Sequence, residues 1–230
     1  MMAAGYHPWT VSVQEAFRIQ QDLRSKISLE DDPGEPETIA GIDVAYSGEE
    51  DLLYAAIVVL DAASLDPLEV VTAVQQPSFP YVPGLLSFLE GPVVLDAYER
   101  LSREPGLLVF DGQCIAHPRG LGLASHLGVL LDRPSIGCAK SRLVGEFKEP
   151  KQKRGSMRTL SYERRKVGVV LRTRDNTRPL FVSPGHRVSF ETAAARVLGA
   201  TRGHRIPEPT RLADIEAGRA KRERRRQVGA

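Results

Sequence analysis

The sequence predicts an α/β chain on a mixed sheet: an antiparallel three-strand meander, then parallel strands separated by helices, with helices on the sheet faces. Two observations carry that prediction. Three β-rich runs, at 38–46, 52–60 and 68–76, are parted by only a few residues, with Ser47, Gly48, Asp66 and Pro67 as turn formers. Such gaps are too short for crossovers, so these strands pair antiparallel. Beyond Pro83 the apolar runs are separated by helix-length segments instead. Strand–helix–strand units of that kind close in parallel through right-handed crossovers.

Before the meander, Ser12 followed by Glu15 reads as a capping box, and Phe17, Ile19, Leu23 and Ile27 form the apolar face of a helix running to about Ile27. An acidic, proline-bearing loop covers 30–37. After the meander we expect a helix over 93–101, a strand over 107–111, a helix over 121–131 and a strand over 135–139. The polar, basic stretch 148–166 reads as a loop, 167–173 and 180–183 as two further strands, and 191–198 as a last helix that packs back on the sheet. There is no internal repeat. With 230 residues, 42% of them hydrophobic, the chain can bury one full core. The expectation is a single domain over 1–230, with 1–9 and 215–230 as loosely ordered ends.

Composition narrows the function classes. The formal net charge is only +2, so any nucleic-acid-binding surface must be local. The stretch 219–226, with six basic residues and one acid, could track phosphates, although a solvated, frayed tail is the favoured reading. No segment approaches the roughly 20 apolar residues of a membrane span, and 1–18 lacks a basic-then-apolar leader. Cys114 and Cys138 are too few for a disulfide scaffold and lie in apolar segments, which fits a reducing compartment. These readings point to a cytoplasmic protein with no membrane association.

The chemistry is carried by acids at strand ends. Asp43 sits inside the apolar run Ala40-Gly41-Ile42-Asp43-Val44-Ala45-Tyr46, where a charge is costly unless it is paired or binds a metal. Asp111 ends the run Leu107-Leu108-Val109-Phe110-Asp111, at the carboxyl edge where open α/β sheets hold ligands. Were these strands neighbours, two such carboxylates would need a cation to stay ionised, and oxygen-only ligands favour Mg²⁺ or Mn²⁺ over zinc. Glu90 and Asp214 are further acidic candidates, although each alone reads as a surface acid. Lys140 follows the apolar run 135–139, so it emerges at the same edge, where an ammonium can stabilise charge developing on a phosphate.

Six blocks, taken in order, match more than a generic metal site. They are Gly41-Ile42-Asp43-Val44, Pro80-Tyr81-Val82-Pro83-Gly84-Leu85-Leu86, Asp111-Gly112-Gln113 with His117-Pro118-Arg119, Ile136-Gly137-Cys138-Ala139-Lys140, Gly185-His186-Arg187 and Pro207-Glu208-Pro209-Thr210-Arg211. From about Val13 to Asp214 the chain resembles the endonuclease V family. The resemblance implies an RNase H-like fold and a DNA repair endonuclease that recognises deaminated bases such as hypoxanthine. It implies hydrolysis of the second phosphodiester on the 3′ side of the lesion, leaving 3′-hydroxyl and 5′-phosphate ends.

Carried over residue by residue, the resemblance makes Asp43, Glu90, Asp111, Lys140 and Asp214 the catalytic set. Asp43, Asp111 and Glu90 would be the metal ligands for Mg²⁺, with Mn²⁺ able to substitute. It makes Pro80-Tyr81-Val82-Pro83 a strand-separating wedge, with Tyr81 stacking where the base leaves. Prolines stiffen such a loop, and an aromatic face replaces lost base stacking. Gly84, Leu86, Gly112, Gly122 and Leu123 would line the pocket for the extruded base, with His117 as a structural or phosphate-contact residue. Two positions depart from the pattern: Leu89 stands where the family usually has arginine, and Cys114 where it usually has glycine. The arginine would offer a phosphate or carboxylate partner, and a side chain at 114 would stand where backbone approaches the flipped base.

The partner expected is DNA containing deaminated bases, acted on by a monomer. An endoribonuclease for inosine in RNA and an inosine-lesion binder that does not cut are the competing readings, since contacts to a 2′-hydroxyl are invisible in sequence. Gly120-Leu121-Gly122 is not a dinucleotide loop, because 113–119 intervenes between strand and glycines and the third glycine is missing.

Overall fold

The computed structural model describes residues 6–32 and 34–228. Thirteen elements follow in chain order: α1 (Val13–Arg24), β1 (Thr38–Ser47), β2 (Leu52–Asp61), β3 (Pro67–Gln75), α2 (Leu86–Glu99), β4 (Leu107–Phe110), α3 (Leu123–Leu131), β5 (Ser135–Ala139), β6 (Met157–Tyr162), β7 (Arg165–Leu171), β8 (Leu180–His186), α4 (Phe190–Gly199) and α5 (Glu208–Val228). All eight strands join one sheet in the order β3-β2-β1-β4-β5-β8-β7-β6. The meander pairs antiparallel, and β1, β4 and β5 run parallel, as the gap lengths require.

Helices cover both faces. Val93, Val94 and Ala97 of α2 and Leu127 of α3 pack on Ala40, Ile42, Ile57 and Phe110. On the other face, Ala193 and Val197 of α4 and Ala213 of α5 pack on Ile39, Val58, Val109 and Val182. Covered on both sides, β2 is buried from 53 to 60, and each Leu, Ile or Val side chain so removed from water contributes roughly 1.5–3 kcal/mol. Helix α1 starts where Ser12 Oγ accepts the Glu15 amide at 3.2 Å, and it buries Ala16, Ile19 and Leu23 against Phe79, Phe88 and Leu121. No helix among the described residues is long and apolar enough to cross a membrane.

The structure departs from the sequence reading in three places within the sheet and its helices. The stretch 148–166, read as a loop, contains β6 and the first residues of β7. As the edge strand, β6 leaves Met157, Arg158 and Thr159 exposed, so it lacks the apolar alternation that marks a half-buried strand. Strand β8 lies antiparallel to β5, because the chain arrives at it through the β6–β7 hairpin rather than a helical crossover. Helix α2 begins at Leu86, well before 93, with Gly91 and Pro92 inside it. That pair reads as a breaker in sequence, yet Gly91 is where the helix admits the Trp9 ring, whose atoms a Cβ would meet at 2.7 Å.

The ends also differ from expectation. Residues 215–228, expected to be loosely ordered, continue α5. Ala213 and Ala217 are fully buried, and a Cβ at Gly41 would overlap the Pro209 carbonyl, so the start of the helix sits directly on β1. Farther along, Lys221 donates to the Tyr46 carbonyl at 2.6 Å, and Arg225 reaches Ser47 Oγ and Glu49. At the other end, His7 and Trp9 are docked on Phe88 and His126. Of the two ends expected to be loosely ordered, 1–5 and 229–230 lie outside the described residues.

Candidate active site

Register brings the first two acids together. Ile42 of β1 pairs with Phe110 of β4, so the next residue on each strand, Asp43 and Asp111, stands at the same level of the carboxyl edge. The Asp111 amide donates to the Ile42 carbonyl at 3.0 Å and extends the ladder by one residue. Gly41 faces α5, and with the two-residue period of a strand Asp43 faces it too. Asp214 on α5 therefore meets Asp43, and ligand oxygens of Asp43, Asp111 and Asp214 all lie within 4.8 Å of one another.

Lys140 leaves the end of β5 toward the same acids. Its Nζ is 2.5 Å from Asp111 Oδ2 and 3.4 Å from Asp214 Oδ1. Burial opposes its charge, but the bond to Asp111 and the charges of Asp111, Asp214 and Asp43 prevail and hold its pKa above the ordinary lysine value. For Asp43, burial first and the Asp111 charge second push the carboxyl up to about 7. Glu90, on α2, is pushed up to about 8 by burial and then by the charges of Asp43 and Asp111. Two acids held this far from their ordinary range beside a third mark a place where positive charge is missing. Three carboxylates and no nitrogen or sulfur donor form a set suited to Mg²⁺ or Mn²⁺.

The metal-ligand expectation is thereby rearranged. Asp214, expected in the catalytic set but not among the metal ligands, stands in the close cluster with Asp43 and Asp111, whereas Glu90, expected as a ligand, feels their charge from outside it. Helix α2 covers the face opposite α5, so Glu90 approaches the edge from the other side of the sheet.

Beside the acids opens a cavity of about 400 Å³. Its walls include Tyr81, Gly84, Leu86, Gly112, His117, Gly122 and Leu123, together with Asp111 and Lys140. Seven of the nine residues expected to touch the substrate thus converge on one space adjoining the acid cluster. Pro80 lines the neighbouring groove instead, and Pro83 lines neither. Tyr81 projects at the mouth, 70% exposed.

Residues without an expected role hold this loop in place. The Arg119 guanidinium donates to the Gly84 carbonyl and to Gln20 Oε1, and its plane lies over the Phe17 ring at 4.4 Å. Gln20 Nε2 donates to the carbonyls of Gly84 (3.0 Å) and Leu121 (3.2 Å). The signal for Gln20 was available, since it is a polar residue on the apolar stripe of α1 and is 1% exposed. Gly84 has φ +80, and a Cβ there would collide with the Arg119 guanidinium, so glycine is required twice over. His117 is buried, and burial first and Arg119 second lower its pKa to about 4. At neutral pH it is uncharged, its Nδ1 accepting the Arg119 amide at 3.2 Å.

Cys114 does not line this cavity. It is fully buried, its amide donates to Ser183 Oγ at 3.1 Å, and burial pushes its thiol up to about 12. Gly137 and Gly185 make room for the sulfur, since a Cβ at either would come within 2.9 Å of it. Leu89 is half-buried against the α2 core and faces the neighbouring groove.

Comparison with known proteins gives one consistent answer. Residues 21–215 match the family model for Endonuclease V. An Endonuclease V of Geotalea uraniireducens is 52% identical over 211 residues, covering 91% of this chain and 89% of the relative. The crystal structure of the Endonuclease V of Streptomyces avermitilis superposes with a TM-score of 0.90 at 46% identity, covering 94% of this chain and 95% of that one. The Endonuclease V of Ciona intestinalis, crystallised with a 24mer DNA containing an inosine followed by a ribo-adenosine, gives a TM-score of 0.79 at 27% identity, covering 92% and 98%.

Proposed function

The chain belongs to the endonuclease V family, and from that premise we propose that it nicks DNA near deaminated bases, hypoxanthine above all, by metal-assisted hydrolysis. One observation carries the reading: the cluster of Asp43, Asp111 and Asp214, with Lys140 against it, adjoins a cavity capped by an exposed tyrosine. Chemistry and recognition each have a place, a short distance apart. The eight strands in one sheet support reading the described chain as a single domain.

In this reading Asp43, Asp111 and Asp214 hold a Mg²⁺ ion, and Glu90 flanks it. The bound ion would lower the pKa of water and offset charge on a phosphodiester. Lys140 supplies a fixed positive charge at the same edge, oriented by Asp111, where an oxyanion develops on the phosphate. The extruded base enters the cavity walled by Gly84, Gly112, Gly122 and Leu123, and the ring of Tyr81 takes over the stacking it leaves behind. Neutral His117 serves as cavity wall and carries no charge at physiological pH. Cleavage at the second phosphodiester 3′ of the lesion follows from the family resemblance.

The ribo-adenosine in the strand bound by the Ciona relative makes inosine-containing RNA the second substrate to test. A duplex with one deoxyinosine and a matched inosine RNA, incubated with Mg²⁺ or EDTA, decide between them. Nicked DNA in Mg²⁺ alone supports the proposal, cut RNA with intact DNA moves the activity to RNA, and intact strands throughout leave a binder that does not cut.

A further inference from the structure

The loop that carries Tyr81 separates two cavities. On the far side from the base cavity, between this loop and the end of the β1–β2 hairpin, lies a groove of about 610 Å³. Tyr81 and Leu86 line both spaces, so the loop acts as a shared wall. Glu90 lines the groove near the acid cluster, while Asp111 and Lys140 line the base cavity. The acids therefore lie between the two spaces, and a strand bound across them has one neighbouring group for each.

The chemistry of the groove selects what enters it. Its floor is apolar, formed by buried Leu53 and by Leu89. Tyr46 is 51% exposed, and its hydroxyl is fixed by a hydrogen bond of 2.9 Å to Asp51 Oδ1. That bond holds the ring against the opening, so stacking on it costs little further ordering. Among the described residues no lysine or arginine lines the groove, and its acidic side chains are Asp51 and Glu90. A phosphate backbone is repelled there, whereas an uncharged, flat ring buries apolar area and gains a stacking partner.

We propose that this groove is a stacking subsite for the nucleobase on the 3′ side of the lesion, with Tyr46 as its platform. The inference rests on the proposed nuclease function. Once the lesion base has left the stack for the first cavity, its 3′ neighbour loses a face, and the groove across the Tyr81 loop supplies another. The lesion base and its 3′ neighbour are then held apart by separate pockets, and the second phosphodiester, which follows that neighbour, is held beside the acids that lie between the pockets.

The test compares kcat/KM on a duplex carrying one deoxyinosine with kcat/KM on the same duplex whose next 3′ nucleotide is an abasic tetrahydrofuran residue. The wild-type protein loses about tenfold on the abasic duplex, the scale of one base–aromatic stack. Tyr46→Ala loses about tenfold on the intact duplex and nothing more on the abasic one. Tyr46→Phe, which keeps the ring and drops the bond to Asp51, retains the wild-type dependence on the base. A wild-type protein indifferent to the missing base, or a Tyr46→Ala variant as sensitive to it as wild type, overturns the subsite while the nuclease reading stands. Failure of the wild type to cut the intact duplex overturns both.

Discussion

Lys140 Nζ lies 2.5 Å from Asp111 Oδ2, so the ammonium occupies part of the space where a divalent cation would meet the same carboxylate. The two positive charges share one acid cluster and repel each other. Lys140→Met is therefore expected to lower kcat by about 10² to 10³, the range for loss of one group that stabilises transition-state charge. The Mg²⁺ concentration at half-maximal rate stays the same or falls, since a competing charge is gone. A Mg²⁺ titration of the rate reads both quantities, and a weakened metal response with normal kcat contradicts the assignment.

The raised carboxyls set a pH dependence that runs against the usual one for acids. Asp43 and Glu90, pushed up to about 7 and about 8, hold protons in the folded protein that the unfolded chain releases near pH 4. Metal-free folded protein binds more protons than the unfolded chain across that window, so its stability falls as pH rises from about 4 to about 8. Thermal unfolding in EDTA is expected to show a midpoint that declines over this range. Added Mg²⁺ replaces the protons and raises the midpoint more at pH 8 than at pH 6. A midpoint equally responsive to Mg²⁺ at both values argues against the acid cluster as the binding place.

Tyr81 stands open at the cavity mouth and has no place among the clustered acids. Tyr81→Ala is expected to reduce the preference for a deoxyinosine duplex over an undamaged one by roughly tenfold, through loss of one stacking face. The Mg²⁺ response remains unchanged. Competition cleavage with the two duplexes measures the ratio, and an unaltered ratio removes the wedge role.

Cys114 is a core residue in this structure, enclosed by Gly137, Gly185 and Ser183. Cys114→Ala is expected to cost about 1 kcal/mol of stability by leaving a small void, with lesion preference untouched. Denaturant unfolding and the same competition assay test the two halves. A changed preference with unchanged stability would return the residue to the base cavity.

The two strand acids were legible in the sequence because a carboxylate inside or at the end of an apolar run has few physical explanations. Asp43 and Asp111 are such residues, and register alone brings them level. Which face each side chain takes was hidden. Asp214 entered the cluster and Glu90 stayed outside because α5 and α2 cover opposite faces, a fact of packing that no local pattern encodes. Strand β6 escaped notice because its exposed edge residues carry no apolar alternation. The helix over 215–228 escaped because its run of arginines reads as a solvated tail. Its order comes from Ala217 under β1 and β2 and from Lys221 and Arg225 on the β1–β2 hairpin. Arg119 and Gln20 had no assigned role because their partners are backbone carbonyls of distant loops.

Single-turnover cleavage of an end-labelled duplex with one deoxyinosine, followed with Mg²⁺ and with EDTA for wild type and Asp43→Ala, bears most directly on the proposed metal-dependent nuclease. The account predicts one nick 3′ of the lesion in Mg²⁺, none in EDTA, and a rate at least about a thousandfold lower for Asp43→Ala. Nicking that persists in EDTA, or an Asp43→Ala variant that cuts as fast as wild type, would contradict it.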